Sequence, residues 1–271
     1  MADRDDALGR WLEAGASADP GRVRVVLVDI DGVITAGEGA PADPAHLARL
    51  ASWNAAAAHD PRLPAISLCS GRQAPYVELM AQMTGAFLPC LFEHGAGLLE
   101  PRDFRFRFNP RLGSAPWRAV STVREALAPV LGPDRAFVQP GKEASLTLYP
   151  LGTLTVAELA DDARRAIAGA GGSFVVTANL RGVEIRPPGI DKGTGARWLA
   201  AELGIDLSSF AGVGDADDDL TFLRLVGYPA APANASAAVR SAARYVSSEP
   251  YGDGLLDILD HLAAVNGRTA P

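Results

Sequence analysis

Lysine and cysteine are scarce in this 271-residue sequence, and long apolar segments are missing. Two cysteines, Cys69 and Cys90, are too few for the disulfide framework of a small secreted domain, so we expect a reducing, cytoplasmic compartment. No segment reaches the roughly 20 apolar residues that a membrane-spanning helix needs. The four scattered histidines form no Cys/His cluster of the kind that binds zinc. Only Lys142 and Lys192 are lysines among 25 basic residues, which singles out these two positions.

Basic residues are also fewer than acidic residues. The sequence has 25 basic and 32 acidic residues, a net charge of −7 and a pI of about 5.1. This balance argues against nucleic acid or an anionic membrane as a partner. The acidic N-terminus, MADRDDALGR, does not have the basic-then-apolar layout of a signal peptide. Hydrophobic residues make up 48% of the chain, enough for a sizeable core in one or two domains.

Apolar segments alternate with helical patterns along the first hundred residues. The sequence predicts strands at 23–30, 65–69 and 89–92. Helices are predicted to begin after Asp43, which precedes a proline, and near Pro75. Alternation of strand and helix predicts a parallel sheet with crossover helices.

The pattern changes near residue 100 and returns near residue 191, which predicts an inserted module. Within that module we predict helices at 117–131 and 155–170 and strands at 144–149, 173–178 and 182–186. Its strands are typical of an antiparallel sheet with helices on one face. The predicted division is an N-terminal arm with a short helix at 1–20, a core at 21–99 and 189–271, and an inserted module at 100–188.

Arginine and phenylalanine alternate in the segment PRDFRFRFNPRLG, which begins at Pro101. Interleaved basic and aromatic residues are found in nucleic-acid-binding surfaces. A strand with two different faces gives the same alternation. The acidic charge of the whole chain favours the strand.

Carboxylates follow the first predicted strand, where DIDGV places Asp29 and Asp31 one residue apart. Asp-Gly between apolar segments is also typical of a hairpin turn. That alternative leaves three more polar segments unexplained: SGR at 70–72, the region of Lys192, and GDADDD at 214–219. Ligands of open parallel sheets bind at the carboxyl ends of the strands. We therefore expect the four segments to form one site.

The residue types in these segments suit phosphoryl transfer at a metal ion. Clustered carboxylates repel one another unless a cation lies between them, and oxygen ligands suit Mg²⁺. An aspartate can attack phosphorus and form an aspartyl-phosphate. Ser70 and the backbone N–H groups beside Gly71 can hold phosphate oxygens, and a lysine adds a compact positive charge.

The four segments, taken in this order, resemble the motifs of the haloacid dehalogenase-like (HAD) phosphohydrolases. The resemblance covers residues 23 to about 260. It implies an α/β fold with a Rossmann-like parallel-sheet core and an inserted α+β cap domain. The cap is similar to that of the branch with Cof-like, sucrose-, trehalose- and mannosylglycerate-phosphate phosphatases. The segment EIRPPGIDKG resembles the return from cap to core in the trehalose-phosphate phosphatases in particular.

The resemblance implies roles for five aspartates. Asp29 would be the nucleophile and a Mg²⁺ ligand, and Asp31 would be the general acid and base. The backbone carbonyl of Asp31 would also bind the metal. Asp215 and Asp219 would complete the metal site, with Asp218 as a further candidate. The sequence departs from the branch in having Asp218 where asparagine is usual and valine where threonine usually follows Asp-Gly.

The resemblance also implies that Ser70, Gly71 and Arg72 bind the substrate phosphate and that Lys192 neutralises it. Each has a structural alternative. Ser70 can be a helix N-cap, and Arg72 can be a surface charge. Lys192 can be an exposed residue in the first turn of a helix, although a cation is disfavoured there.

Three charged residues of the inserted module, Lys142, Arg181 and Glu184, are candidates for binding the leaving group. Salt bridges or solvent exposure would explain each of them equally well. His94 follows the third predicted strand, where a turn residue is the simpler interpretation and a substrate contact is the alternative.

The sequence therefore predicts a phosphoric monoester hydrolase, a Mg²⁺-dependent phosphatase that forms an aspartyl-phosphate. Its predicted substrate is a small-molecule phosphate ester, with a sugar phosphate preferred. One alternative is a sugar phosphomutase of the same branch. Another is a non-catalytic binding protein on a HAD scaffold, although no motif residue is missing. A dehalogenase would need neither Asp31 nor the metal site. We expect no nucleic-acid or membrane partner, and the sequence does not predict the oligomeric state.

Overall fold

The computed structural model describes residues 7–15, 22–113, 115–170 and 173–268. The strands are β1 (Val25–Val28), β2 (Ala65–Leu68), β3 (Cys90–Phe92), β4 (Gly97–Glu100), β5 (Arg105–Phe108), β6 (Ala136–Val138), β7 (Leu146–Pro150), β8 (Val175–Ala178), β9 (Val183–Arg186), β10 (Phe210–Val213), β11 (Tyr228–Ala231) and β12 (Tyr245–Val246). The helices are α1 (Ala7–Gly15), α2 (Pro44–Ala57), α3 (Ala74–Met83), α4 (Pro116–Ala126), α5 (Val156–Gly169), α6 (Lys192–Leu203), α7 (Leu220–Leu223), α8 (Ala237–Ala242) and α9 (Tyr251–Arg268).

Five strands form a parallel sheet in the order β12-β11-β10-β1-β2. Every residue of β1, which lies between β10 and β2, is buried, because helices cover both faces of the sheet. Val26 and Val28 belong to a core cluster with α2, α3 and α9. Val25 and Leu27 belong to a cluster with α6, α7 and α8 on the opposite face. The predicted α/β fold with a parallel-sheet core is confirmed.

Two helices begin at side-chain caps, of which the sequence predicts the first. The Asp43 side chain accepts a hydrogen bond of 2.8 Å from the Ala45 N–H, and Pro44 is the first residue of α2. Asp191 likewise accepts a hydrogen bond of 2.7 Å from the Thr194 N–H at the start of α6. These bonds satisfy N–H groups that have no partner inside a helix.

A small antiparallel sheet, β3-β4-β5, extends the parallel sheet at the β2 side. Its link to the parallel sheet is a bridge between Cys69 and Leu91. The alternating Arg and Phe residues lie in β5, so the predicted strand is confirmed. Arg105 pairs with Glu100, while Phe106 stacks edge-on against a phenylalanine of β3.

The second large sheet, here called the cap sheet, is antiparallel in the order β6-β7-β9-β8. Leu146 and Leu148 of β7 pack with α4 and α5 on one face. Side chains alternate along a strand, so the other face of the cap sheet carries Thr147, Tyr149 and Glu184. Thr147 lies directly opposite Glu184 in the register of β7 and β9. The predicted antiparallel sheet with helices on one face is confirmed.

Several element bounds differ from those predicted. Helix α4 ends at Ala126 rather than residue 131, because Pro129 restricts the preceding residue and cannot donate a backbone hydrogen bond. Strands β4 and β6 were not predicted, since three or four residues show too little periodicity. The predicted domain division after residue 99 falls inside β4 and stays a prediction.

The predicted helix of the N-terminal arm corresponds to α1, whereas residues 16–20 lie outside the described part of the chain. Within the described ranges, every helix is too short or too polar to cross a membrane.

Candidate active site

Asp29, Ser70 and Asp215 meet at one edge of the parallel sheet. Asp29 directly follows β1, Ser70 lies two residues beyond β2, and Asp215 lies two residues beyond β10. Because β10, β1 and β2 are neighbours, these three residues lie side by side. Asp29 is 5% exposed and Ser70 is 1% exposed, so both face the interior of the site.

Lys192 enters the site from the first turn of α6, which Asp191 caps. Its Nζ atom lies 3.0 Å from Asp29 Oδ2 and 3.2 Å from Asp218 Oδ2, and it also contacts Asp219. Burial alone would lower the pKa of Lys192, but the three carboxylates hold that pKa well above its usual value. Lys192 is therefore a buried ammonium and not an exposed charge.

Three carboxylates could hold a metal ion. Oxygen atoms of Asp29, Asp215 and Asp219 all lie within 4.8 Å of one another. Burial raises the pKa of Asp29 well above its usual range, and Lys192 offsets only part of this effect. Burial and the charge of Asp219 raise the pKa of Asp215 to about 7. Among the described residues, Asp215 Oδ1 is one of the buried oxygens without a hydrogen-bond partner. An acidic oxygen set with an unpartnered atom fits a hard divalent cation.

The turn after β1 allows the Asp215 carboxylate to lie close to the backbone of Gly32. Gly32 has a φ of +88°, a conformation that favours glycine. A Cβ atom at this position would overlap the carboxylate of Asp215. The Gly32 carbonyl accepts a hydrogen bond of 2.9 Å from the Asn234 side chain, which ties the turn to the loop after β11.

Asp218 and Asp219 have different surroundings. Asp219 is fully buried, and its Oδ2 accepts hydrogen bonds from the N–H groups of Asp215 at 2.9 Å and Ala216 at 3.0 Å. Asp218 instead lies 3.2 Å from Lys192 and 3.7 Å from His94. Burial would raise the pKa of Asp218, but Lys192 and His94 together hold it below its usual value. The geometry places Asp219, rather than Asp218, with the three-carboxylate set.

Arg72 binds Asp31 through two hydrogen bonds of 2.6 and 2.9 Å. This bidentate contact fixes the orientation of the Asp31 carboxylate beside the site. The backbone N–H of Arg72 donates to Ser70 Oγ at 3.2 Å, which orients the serine hydroxyl. A Cβ atom at Gly71 would overlap the ring of His94. The phosphate-binding roles of Ser70, Gly71 and Arg72 stay predictions.

The cap sheet contributes a buried polar cluster to the same cleft. Lys142 Nζ lies 3.2 Å from Glu184 Oε2 and donates to Thr147 Oγ1. His94 Nε2 lies 3.3 Å from the same carboxylate of Glu184. Burial would raise the pKa of Glu184, but Lys142 and His94 lower it to about 2. Arg181 is not part of this cluster and donates to the backbone carbonyl of Glu38.

His94 and Glu93 form a bend in which both residues have positive φ, 58° and 48°. Glu93 accepts backbone hydrogen bonds from Glu143 at 3.0 Å and Ala144 at 2.9 Å, and a third bond from Ser145 Oγ. This carboxylate ties the segment before β7 to the end of β3. Sequence reasoning missed Glu93 and favoured a turn role for His94; the only signal was a polar EHG segment at a strand end.

A cleft of about 440 Å³ lies between the sheet edge and the cap sheet. It is lined by all the predicted site residues except Asp219: Asp29, Asp31, Ser70, Gly71, Arg72, Lys142, Arg181, Glu184, Lys192, Asp215 and Asp218. Asp219 lies beneath its floor. Glu38, which no motif contains, also lines it.

The comparisons with known proteins agree with this geometry. Residues 149–259 match the model of a protein family described as haloacid dehalogenase-like hydrolase. Over these residues the chain is similar to the haloacid dehalogenase-like hydrolases. A phosphoglycolate phosphatase of Natronomonas pharaonis is 27% identical over 88% of this chain and 97% of its own length. The resemblance to HAD phosphatases that the four motifs indicate is thereby confirmed.

Other HAD relatives match over shorter segments. A phosphoglycolate phosphatase of Methanothrix thermoacetophila is 42% identical over 30% of this chain, and one of Pyrobaculum aerophilum is 32% identical over 49%. The chain spans 37% and 57% of the lengths of these two relatives.

Solved structures share the whole HAD architecture. The sucrose-phosphatase of Synechocystis, solved with sucrose and phosphate, has a TM-score of 0.64 at 13% identity, covering 89% of this chain and 98% of its own. A Thermoplasma acidophilum protein has a TM-score of 0.69 at 19% identity, with the same coverage. At such identities these matches show the fold alone.

Proposed function

We propose that this HAD protein is a Mg²⁺-dependent phosphatase that hydrolyses a small phosphate ester through an aspartyl-phosphate. One observation carries the proposal. Asp29 is buried at the end of β1, 3.0 Å from Lys192, with oxygen atoms of Asp215 and Asp219 within 4.8 Å. A carboxylate in this setting lies beside both an ammonium and a metal-ligand set, as an attacking group in phosphoryl transfer requires.

The proposed reaction has two steps. A carboxylate oxygen of Asp29 attacks phosphorus while the bond to the leaving oxygen breaks, and Asp31 gives that oxygen its proton. Water then attacks the phosphorus of the aspartyl-phosphate, gives a proton to Asp31, and releases inorganic phosphate and free Asp29. Lys192 and the Ser70 hydroxyl bind the phosphoryl oxygens in both steps.

Asp29, Asp215 and Asp219 would hold the metal ion. Mg²⁺ bound there would supply positive charge for the phosphoryl oxygens and relieve the repulsion among the three carboxylates. The buried, unpartnered Asp215 Oδ1 supports this assignment.

We further propose that the chain divides into a core at 21–99 and 189–271, which carries out the chemistry, and a cap at 100–188, which selects the substrate. The parallel-sheet edge carries the reacting groups, and the cap sheet faces the leaving group. Lys142 and Glu184 offer a donor and an acceptor to sugar hydroxyls, which supports a sugar phosphate as substrate. The relatives named phosphoglycolate phosphatase make phosphoglycolate the second ester to test.

A phosphate-release screen tests the proposal. Purified protein with Mg²⁺ is incubated with a panel of sugar phosphates, phosphoglycolate and p-nitrophenyl phosphate, and Asp29→Asn protein serves as the control for contaminating phosphatases. We expect free phosphate from at least one sugar phosphate. Conversion of a hexose 1-phosphate to its isomer without free phosphate would indicate a mutase. No turnover of any ester would indicate a binding protein.

A further inference from the structure

Glu38 connects the loop after β1 to three parts of the cap. It lies between β1 and α2, lines the cleft, and its side chain is 27% exposed. Tyr149 Oη donates to both carboxylate oxygens of Glu38 at 2.6 Å. Gln139 Nε2 donates to Oε1 at 3.3 Å, and Arg181 donates to the Glu38 backbone carbonyl. A single core residue therefore accepts hydrogen bonds from the segment after β6, from β7, and from the β8–β9 turn.

The same carboxylate also reaches the catalytic side of the cleft. Arg72 Nη1 lies 3.6 Å from Glu38 Oε1. The remaining donors of Arg72 hold Asp31 at 2.6 and 2.9 Å, and its guanidinium packs 4.6 Å from the ring centre of Tyr76. Glu38 is thus one residue removed from the proposed general acid and base.

These contacts are stronger than average surface contacts. Hydrogen bonds to an ionised acceptor are roughly twice as strong as neutral ones. Tyr149 is partly buried and the Arg72 side chain is only 13% exposed, so water only partly screens the Tyr149–Glu38 hydrogen bonds and the Arg72–Glu38 ion pair. Burial and the Glu38 carboxylate raise the pKa of Tyr149, so the phenol keeps its proton and remains a donor.

We propose that Glu38 is a positioning residue that joins closure of the cap to alignment of Asp31. With the cap in place, Tyr149, Gln139 and Arg181 bind Glu38, and the Glu38 carboxylate steadies Arg72 against Asp31. Without these donors, the Glu38 carboxylate is no longer held in place and Arg72 loses part of its support. The expected effect of Glu38 on catalysis rests on the proposed phosphatase function, whereas the contact between core and cap does not.

Glu38→Ala, Tyr149→Phe and the double variant test the proposal by kinetics. Each single change should lower kcat/KM for the best sugar phosphate by about tenfold, and the double change should cost little more than one single change, since both break one contact. The matched control is Glu125→Ala, because Glu125 is an exposed residue of α4. Additive losses, or wild-type kinetics in the conservative Tyr149→Phe variant, would overturn the proposal.

Hydrogen–deuterium exchange provides a readout that is independent of catalysis. In Glu38→Ala and Tyr149→Phe, amides of residues 36–40 and 179–182 should exchange faster than in the wild type and in Glu125→Ala. Unchanged exchange in both segments would refute the contact itself. A wild-type protein that releases no phosphate but shows this exchange pattern would refute only the proposed function.

Discussion

At the scale of single residues, Lys192 shows how burial and charge define this site. It is one of two lysines in a chain that otherwise uses arginine, and it lies among three carboxylates at 3% exposure. A compact ammonium can approach several carboxylates from one point. A planar guanidinium is larger and directs its donors within a plane, so it cannot reproduce these contacts.

Lys192→Arg should therefore lower turnover. We expect kcat to fall by at least about tenfold, an activation cost on the order of 1.4 kcal/mol. Steady-state kinetics with the best ester measures this change, and circular dichroism checks that the variant folds. Wild-type kinetics in Lys192→Arg would mean that the ammonium has no role in the chemistry.

Asp29→Asn should abolish nearly all phosphate release while the protein stays folded. The amide keeps the shape of the side chain but cannot attack phosphorus. Loss of a buried charge at this position leaves Lys192 with two other carboxylates, so the fold does not depend on Asp29 ionisation. Substantial phosphate release by purified, metal-replete Asp29→Asn would contradict the proposed nucleophile.

At the scale of elements, side chains alternate along each strand and so give the cap sheet two different faces. One face packs on α4 and α5, and the other carries Thr147 and Glu184, of which Glu184 lines the cleft. Lys142 joins these residues from the segment before β7, and His94 joins them from the bend after β3. The core and the cap therefore share one buried charged cluster.

Lys142→Ala and Glu184→Ala should raise KM for the best sugar phosphate several-fold more than KM for p-nitrophenyl phosphate. The leaving group of the second ester has no hydroxyl groups for these side chains to bind. The ratio of the two KM changes is the measurement, and Glu125→Ala is the control. Equal changes for both esters would show that these residues do not select the sugar.

The pKa of Glu184 predicts an acid-dependent stability. Its folded value of about 2 lies below the usual value of 4.5, so the ionised carboxylate stabilises the fold above pH 4.5. This contribution is lost as the pH falls through 4.5 towards 2. Between about pH 5 and pH 2.5, the melting temperature of Glu184→Gln should therefore fall less than that of the wild type. An unchanged pH profile, matching that of Glu125→Gln, would refute this role.

At the scale of the whole molecule, we predict that activity requires the sheet edge, the cap and a cation together. Exhaustive treatment with EDTA should stop phosphate release, and added Mg²⁺ should restore it, because three carboxylates within 4.8 Å repel one another without a cation. Asp215→Asn should weaken this restoration and raise the Mg²⁺ concentration for half-maximal activity. Full activity after chelation would show that the three carboxylates do not bind a metal ion that the reaction needs.

Much of the fold and the candidate site could be predicted because the relevant signals are local. Asp29, Asp215 and Lys192 each stand at a strand end or helix start, and parallel strands place such ends at one edge of a sheet. The Asp43-Pro44 and Asp191 caps are equally local signals. Strands β4 and β6 were not predicted because they are too short to show an alternating pattern of apolar and polar residues.

The α/β architecture, the order of the motifs and the residue types that the chemistry needs can all be predicted from the sequence alone. Which distant residues meet is seen only in the folded structure. Glu38 and Tyr149 are 111 positions apart, and His94 and Glu184 are 90 apart. Neither pair belongs to one element or one motif, so no periodicity links them. The physical reason is that their contact depends on how the cap sheet packs over the core, which is fixed by the folded chain as a whole.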